Sequence, residues 1–186
     1  MPGNVRIRTR RLRLRSWRLS DPERFHRACN TKPVMRWLGG IQAPSELLED
    51  VSYFMASEAK DGFTFWAVER RRDNAFLGFC GLLRIPDFDC PLRGKVEIGW
   101  RLRQSAWRQG YGFEAATAVL EHAFHRLHVR EVVSRTASGN VASKALMRKL
   151  GLRRLADMEY RPAGARRKLI AYAISAQQWR DLALSQ

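Results

Sequence analysis

Glu97-Ile98-Gly99-Trp100-Arg101-Leu102-Arg103-Gln104-Ser105-Ala106-Trp107-Arg108-Gln109-Gly110-Tyr111-Gly112-Phe113-Glu114-Ala115 is the stretch that decides how this chain reads. Its first part alternates. Val96, Ile98 and Trp100 fall on one side and Glu97 and Arg101 on the other, which predicts a strand over Lys95 to Leu102. Its last part changes period. Ala115, Ala116, Val119, Leu120, Ala123, Phe124 and Leu127 make one apolar stripe, which predicts a helix over Gly110 to Leu127. The loop between them carries two glycines two residues apart. A helix start leaves backbone N–H groups unpaired at the positive end of the helix dipole, and the two together attract anions. Glycine lets the backbone approach phosphate oxygens that a side chain would block. Trp107 to Gly112 is therefore a candidate anion site, with Arg108 adding a cation. Neither Gly-x-x-x-x-Gly-Lys-Ser/Thr nor Gly-x-Gly-x-x-Gly occurs here. On its own, a Gly-x-Gly before a helix also fits a plain N-terminal turn.

Working outward, Glu131 to Ala137 reads as the next strand. Asn140-Val141-Ala142-Ser143 opens a helix to Leu150, and Gly151 stops it. Arg153 to Met158 and Leu169 to Ile174 look like a closing pair of strands, and Ala176 to Leu184 like a short helix. On the other side, Thr9 to Trp17 alternates and reads as one strand. Asp21-Pro22 opens a helix to Cys29, with Ser20 or Asp21 as its cap. Pro33 to Trp37 makes a helical turn, and a helix follows from Pro44 or Ser45 to Ala59. Phe63 to Arg70 and Phe76 to Leu83 form a hairpin turned at Asp73-Asn74, and Pro86 to Gly94 is a loop. The class is α/β (α+β), a mixed and mostly antiparallel sheet of about six or seven strands with about four or five helices.

The chain has 186 residues, which suits a single domain over 1–186. Its longest apolar run, Ala75 to Leu83, is far short of the roughly 18 residues a membrane span needs. No signal peptide is read at the start, because the Arg-rich opening lacks an apolar segment. The cysteines Cys29, Cys80 and Cys90 have no ligand spacing and an odd count, which favours reduced thiols and a cytoplasmic protein. His122, His125 and His128 share a helix but surround its apolar stripe, so no metal is expected. Charge is the unusual property: 34 Lys plus Arg stand against 18 Asp plus Glu, a net charge of +16. Such a field attracts anionic partners, whether nucleic acid, an acidic protein or a phosphorylated cofactor.

The glycine segment, followed by Asn140-x-x-Ser143 and Lys149-Leu150-Gly151, resembles the GNAT superfamily of acyl-CoA-dependent N-acetyltransferases. It is most similar to the RimJ/RimL-like branch, which acetylates the N-termini of ribosomal proteins. The likeness runs from Thr9-Arg10-Arg11-Leu12-Arg13-Leu14-Arg15 to Gln178-Trp179. It implies a pyrophosphate loop made by Trp107, Arg108, Gln109, Gly110, Tyr111 and Gly112. Trp107 stands where the superfamily has Gln or Arg, and Arg108 where the branch prefers Gly. The resemblance also implies a pantetheine arm along the main chain of Trp100, Arg101 and Leu102, and a cofactor hydrogen bond from Asn140.

Acetyl transfer needs a neutral amine, a proton for the departing thiolate and a donor for the oxyanion. An α-amine, with a pKa near 7.7–8.0, is roughly a tenth free base at pH 7, so a modest base suffices. Glu97 is the candidate base; it equally fits a solvent-facing residue, or one paired with Arg101 or Arg103. Ser143 matches the family serine near the sulfur; it equally fits a first-turn serine bonded to a backbone N–H. Trp37 and Tyr160 are candidate walls of the acceptor cleft, and the basic loop Arg161 to Lys168 could meet an acidic protein or RNA. The reading is an acetyl-CoA-dependent N-acetyltransferase acting on a primary amine, possibly a protein N-terminus, as a monomer or homodimer. A small-molecule acetyltransferase and a non-catalytic acyl-CoA- or RNA-binding module are the alternatives.

Overall fold

The computed structural model describes residues 4–86 and 90–184. Along the chain lie β1 (Val5–Arg8), β2 (Leu12–Arg15), α1 (Asp21–Cys29), α2 (Lys32–Met35), α3 (Pro44–Asp61), β3 (Phe65–Arg70), β4 (Phe76–Arg84) and β5 (Val96–Leu102). There follow α4 (Tyr111–His125), β6 (Glu131–Ala137), α5 (Val141–Lys149), β7 (Arg153–Tyr160), β8 (Leu169–Ser175) and α6 (Ala176–Leu184). The strands form one sheet in the order β1-β2-β3-β4-β5-β6-β8-β7. Every neighbouring pair is antiparallel except β5 and β6, which α4 joins in a parallel crossover.

Each face of the sheet has its own cover. The stripe of α4 buries Ala115, Ala116, Val119, Leu120 and Ala123 against Leu12, Leu14, Trp66, Leu82 and Ile98, and Met147 of α5 and Trp179 of α6 join that core. On the opposite face Phe25 of α1, Met35 of α2 and Leu47, Val51 and Phe54 of α3 pack on Ala67, Phe79 and Leu83. Both sheet faces are covered, so a polar residue pointing away from α4 is not thereby in water.

The architecture matches the expected class, but the sheet has eight described strands and the chain six described α-helices. The extra strand comes from the opening segment. The strand expected over Thr9 to Trp17 is β2, over Leu12–Arg15, and β1 (Val5–Arg8), ahead of that span, pairs with it in a hairpin that bends at Thr9 to Arg11. Thr9 makes the bend: its N–H donates to Leu12 O (3.0 Å), and its Oγ1 accepts from Leu12 N (2.9 Å). Period-2 alternation runs through such a bend without marking it. Of the expected loop Pro86 to Gly94, residues 87–89 lie outside the described residues.

A buried ion cluster pins α1 to the sheet. Arg15 lies between Asp21 (2.6 Å) and Glu69 (2.7 Å), all three buried. Asp21 therefore does more than start its helix; it anchors an arginine that composition alone would place on the surface. The three cysteines are free and buried, and burial pushes the Cys29 thiol up to about 12, well out of the reactive range.

Candidate active site

The parallel pair β5–β6 is paired only at Val96↔Val132 and Glu97↔Val133. Beyond those residues the two strands part. Ser134 Oγ reaches across to Ile98 O (2.9 Å) at the opening of the split. From Gly99 to Leu102, β5 keeps its ladder with β4, so its other edge faces the split rather than another strand. Such an edge can pair with an extended polar chain as a further strand would.

The split points toward the α4 loop. Gly110 caps α4 with φ +79°, a left-handed conformation that glycine adopts without cost. A Cβ there would lie 3.1 Å from Arg11 Nη2. Gly112 serves packing instead: a Cβ would lie 3.3 Å from Leu146 of α5, so glycine lets the two helices close up. Trp107 is exposed, and its indole Nε1 donates to Leu102 O (2.8 Å), tying the loop to the end of β5. Gln109 Nε2 donates to Ser105 O (2.6 Å). Tyr111 is buried, with the Arg11 guanidinium 4.5 Å from its ring centre. The backbone at the head of α4 is thereby held without blocking its N–H groups, a fit to a phosphate-bearing ligand.

Arg108 has φ +57°, in the left-handed region that penalises a side chain. This explains physically why glycine suits the position. Arg108→Gly is expected to stabilise the fold by about 0.5–1 kcal/mol, seen as a rise of roughly 1–4 °C in the thermal midpoint. An unchanged or lowered midpoint would show that the arginine side chain offsets its own backbone strain.

The sequence reading missed what braces this loop. Glu114, in the first turn of α4, takes a hydrogen bond from Thr9 Oγ1 (2.5 Å), one from Arg11 N (2.8 Å) and one from Arg11 Nε (2.5 Å). Arg11 Nη1 also donates to Gln109 O (2.9 Å). These bonds hold the Glu114 carboxyl below the usual carboxylate range against its partial burial. The only local signal was an acid in a helix's first turn; that its partner lies in the opening hairpin is a tertiary fact.

Glu97 lies at the apex of the split. It is neither solvent-facing nor paired with Arg101 or Arg103, two of the readings its sequence left open. Its side chain is buried and accepts from Arg135 Nε (3.0 Å) on β6, because the face it points to is a covered one. Burial pushes its carboxyl above the usual range, and the Arg135 charge opposes that. Arg135 Nη1 in turn donates to Tyr160 Oη (2.5 Å). Glu97, Arg135 and Tyr160 thus form a connected polar row.

Arg101 sends its side chain to the same face. Its guanidinium lies 5.2 Å from the Phe25 ring centre and 5.3 Å from that of Phe79, and Nη1 donates to Gln42 Oε1 (3.0 Å). Trp100 and Leu102 pack toward α4. Asn140 caps α5, its Oδ1 accepting from Ser143 N (3.2 Å). Ser143 follows in the first turn, and its hydroxyl forms no hydrogen bond among the described residues. Its backbone is capped by Asn140, so the serine oxygen is left for another partner. Among the described residues no group of three or more His, Cys, Asp and Glu could hold a metal, and no helix is long and apolar enough to cross a membrane.

A mixed sheet split between two parallel strands, with a glycine-bearing helix start at the opening, leaves a free strand edge beside a site suited to an anion. The family described as acetyltransferase (GNAT) domain matches residues 11–153. The chain belongs to that family and is an N-acetyltransferase; acetyl-CoA is the family's co-substrate. It is 28% identical over 153 residues to the uncharacterized protein YkkB of Bacillus subtilis, covering 82% of this chain and 87% of that one. It is also 28% identical over 114 residues to the FsC-acetyl coenzyme A-N(2)-transacetylase of Aspergillus fumigatus, covering 58% of this chain and about half (48%) of that relative's length. The GCN5-related N-acetyltransferase of Brucella melitensis has a similar fold, with a TM-score of 0.77 at 18% identity over 100% of this chain and 84% of that one. So does RimL, the ribosomal L7/L12 α-N-protein acetyltransferase, with a TM-score of 0.74 at 19% identity over 93% and 94%.

Proposed function

We propose that this chain is a cytoplasmic enzyme that moves an acetyl group from acetyl-CoA to a primary amine, and that the amine is a protein N-terminal α-amine. The observation that carries the reading is the β5–β6 split with a buried carboxylate, Glu97, at its apex and the α4 loop at its mouth. The free N–H groups of Arg108 to Gly112 hold the pyrophosphate. The exposed edge of Trp100 to Leu102 receives the pantetheine arm, and the half-buried Asn140 offers its amide nitrogen beside it. Glu97 takes the proton from the attacking amine. Ser143 donates to the thiolate as the carbon–sulfur bond breaks. An α-amine needs only a modest base, whereas a lysine near pKa 10.4 is almost fully protonated at neutral pH. A ribosomal-protein N-terminus is the acceptor by likeness to RimL. A net charge of +16 disfavours a polyamine acceptor by like-charge repulsion.

Thiol release from acetyl-CoA tests this with a peptide bearing a free N-terminus, the same peptide N-terminally blocked but containing lysine, and small amines. The free N-terminus is expected to react fastest. Release confined to small amines would overturn the N-terminal reading, and acetyl-CoA binding with no release at all would leave a binding module. Ser143→Ala is expected to lower kcat by about tenfold with little rescue at high pH, because the leaving group and not the amine is affected. A kcat equal to that of the unsubstituted chain would remove Ser143 from the mechanism.

A further inference from the structure

We propose that the acceptor is an acidic polypeptide whose side-chain carboxylates, a few residues beyond the reacting amine, dock on Arg36 and Arg167 at the Trp37 ring. The proposal rests on the transferase reading above and names the chemistry of its acceptor.

Trp37 follows α2, whose Val34 and Met35 pack into the cover over β3 and β4. Its ring lies against Gly139, just after β6; a Cβ at Gly139 would come within 2.7 Å of two ring carbons. Trp37 therefore joins the α1–α3 cover to the segment that follows β6. The next residue, Asn140, caps the helix that carries Ser143. On the proposed route an acceptor chain that brings its amine to Glu97 passes Trp37.

Two guanidiniums sit on that indole. Arg36 is 5.0 Å and Arg167 4.7 Å from its ring centre, and Arg167 Nη1 donates to the Arg36 carbonyl (2.8 Å). Both side chains are exposed, and neither meets a carboxylate among the described residues. Glu159, on the same closing hairpin as Arg167, is already held by Arg154 (2.6 Å) and Lys168 (2.7 Å). Arg161 and Arg166, also exposed, add two more cations to the loop, with Arg161 Nη1 bonded to the Arg166 carbonyl. Some arginines of this fold find acids, as Arg11, Arg15 and Arg135 do, while others meet only the oxygens of neutral groups, as Arg71 and Arg101 do. Here like charges are gathered on one ring with no counter-charge among the described residues. Guanidinium planes match carboxylates two bonds at a time, so an acidic side chain relieves the repulsion and gains direction as well. Nucleic acid fits less well. Single-strand sites offer aromatic faces for base stacking, and this ring is engaged by two guanidiniums.

The test uses fluorescein-tagged peptides with one N-terminal residue in common, followed by either Asp and Glu or their amides Asn and Gln. Binding to the full chain is read by anisotropy with CoA present, and transfer by thiol release. The acidic peptide is expected to bind about tenfold tighter, and the preference to shrink in 0.5 M salt as charge is screened. In R36Q/R167Q the preference is expected to fall to near one while acetyl-CoA affinity holds, and R36K/R167K should keep most of it. Each single glutamine variant stands in if the double variant fails to fold. Equal binding of the two peptides by the unsubstituted chain overturns the proposal. So does a preference undiminished in R36Q/R167Q, or an oligouridine that binds tightly and is not displaced by the acidic peptide. Preferred binding with no acetylation of any amine would sink the transferase reading alone; acetylation without preference would sink this docking alone.

Discussion

Glu97→Gln is expected to lower kcat for a peptide α-amine by about 100-fold at pH 6–7 and to recover part of that loss toward pH 9. General bases contribute about 10²–10⁴-fold, and the low end applies where an amine supplies some free base itself. The sign of the pH effect follows from burial. Because burial raises the Glu97 carboxyl above its ordinary range, the unsubstituted chain loses activity as pH falls through that raised value, sooner than an exposed glutamate would. Glutamine has no such limb, so the residual activity follows the amine alone and climbs as the amine deprotonates. Arg135→Gln supplies a second reading. It removes the charge that opposes desolvation, so the acid limb is expected to move to higher pH. Initial rates at saturating acetyl-CoA across pH 6–9 decide the matter. A Glu97→Gln profile that overlays the unsubstituted chain would leave positioning alone to explain the rate.

Gly110→Asp is expected to weaken acetyl-CoA binding by at least about tenfold, roughly 1.4 kcal/mol, measured by calorimetry. The fold should survive. Aspartate is among the residues that tolerate a left-handed φ, it is a good helix cap, and Arg11 Nη2 lies 3.1 Å from where its Cβ would be. The ligand is what suffers, because a carboxylate is placed among N–H groups that would otherwise face phosphate. Gly110→Ala separates the causes: it carries the backbone strain without the charge and should cost less affinity. An aspartate variant that melts normally and binds acetyl-CoA with unchanged affinity would take the phosphates away from this loop.

Sequence periodicity determined a great deal. Strand β5, helix α4 and the glycine turn between them were legible because each obeys a local rule: alternation, a helical stripe, a helix start that needs φ above zero. Asn140 as a helix cap and Gly151 as a stop belong to the same kind of signal. The opening hairpin was not legible, since Thr9 bends the chain through its own side chain while the residues on either side keep a strand's alternation.

Tertiary structure alone decided the partners. Glu97 and Arg135 are separated by a strand end, a loop and a helix, and meet because the α4 crossover lays β6 beside β5. Glu114 and Arg11 meet because β1 and β2 stand at the far edge of the same sheet that α4 covers. Whether Glu97 met water or a guanidinium depended on what shares its face, and Arg135 of β6, itself bonded to Tyr160 of β7, comes there from elsewhere in the chain. The split between β5 and β6 is likewise written in neither strand. It arises where a two-residue parallel ladder ends, so the sequence could offer candidate residues while the fold alone could open the split between the strands.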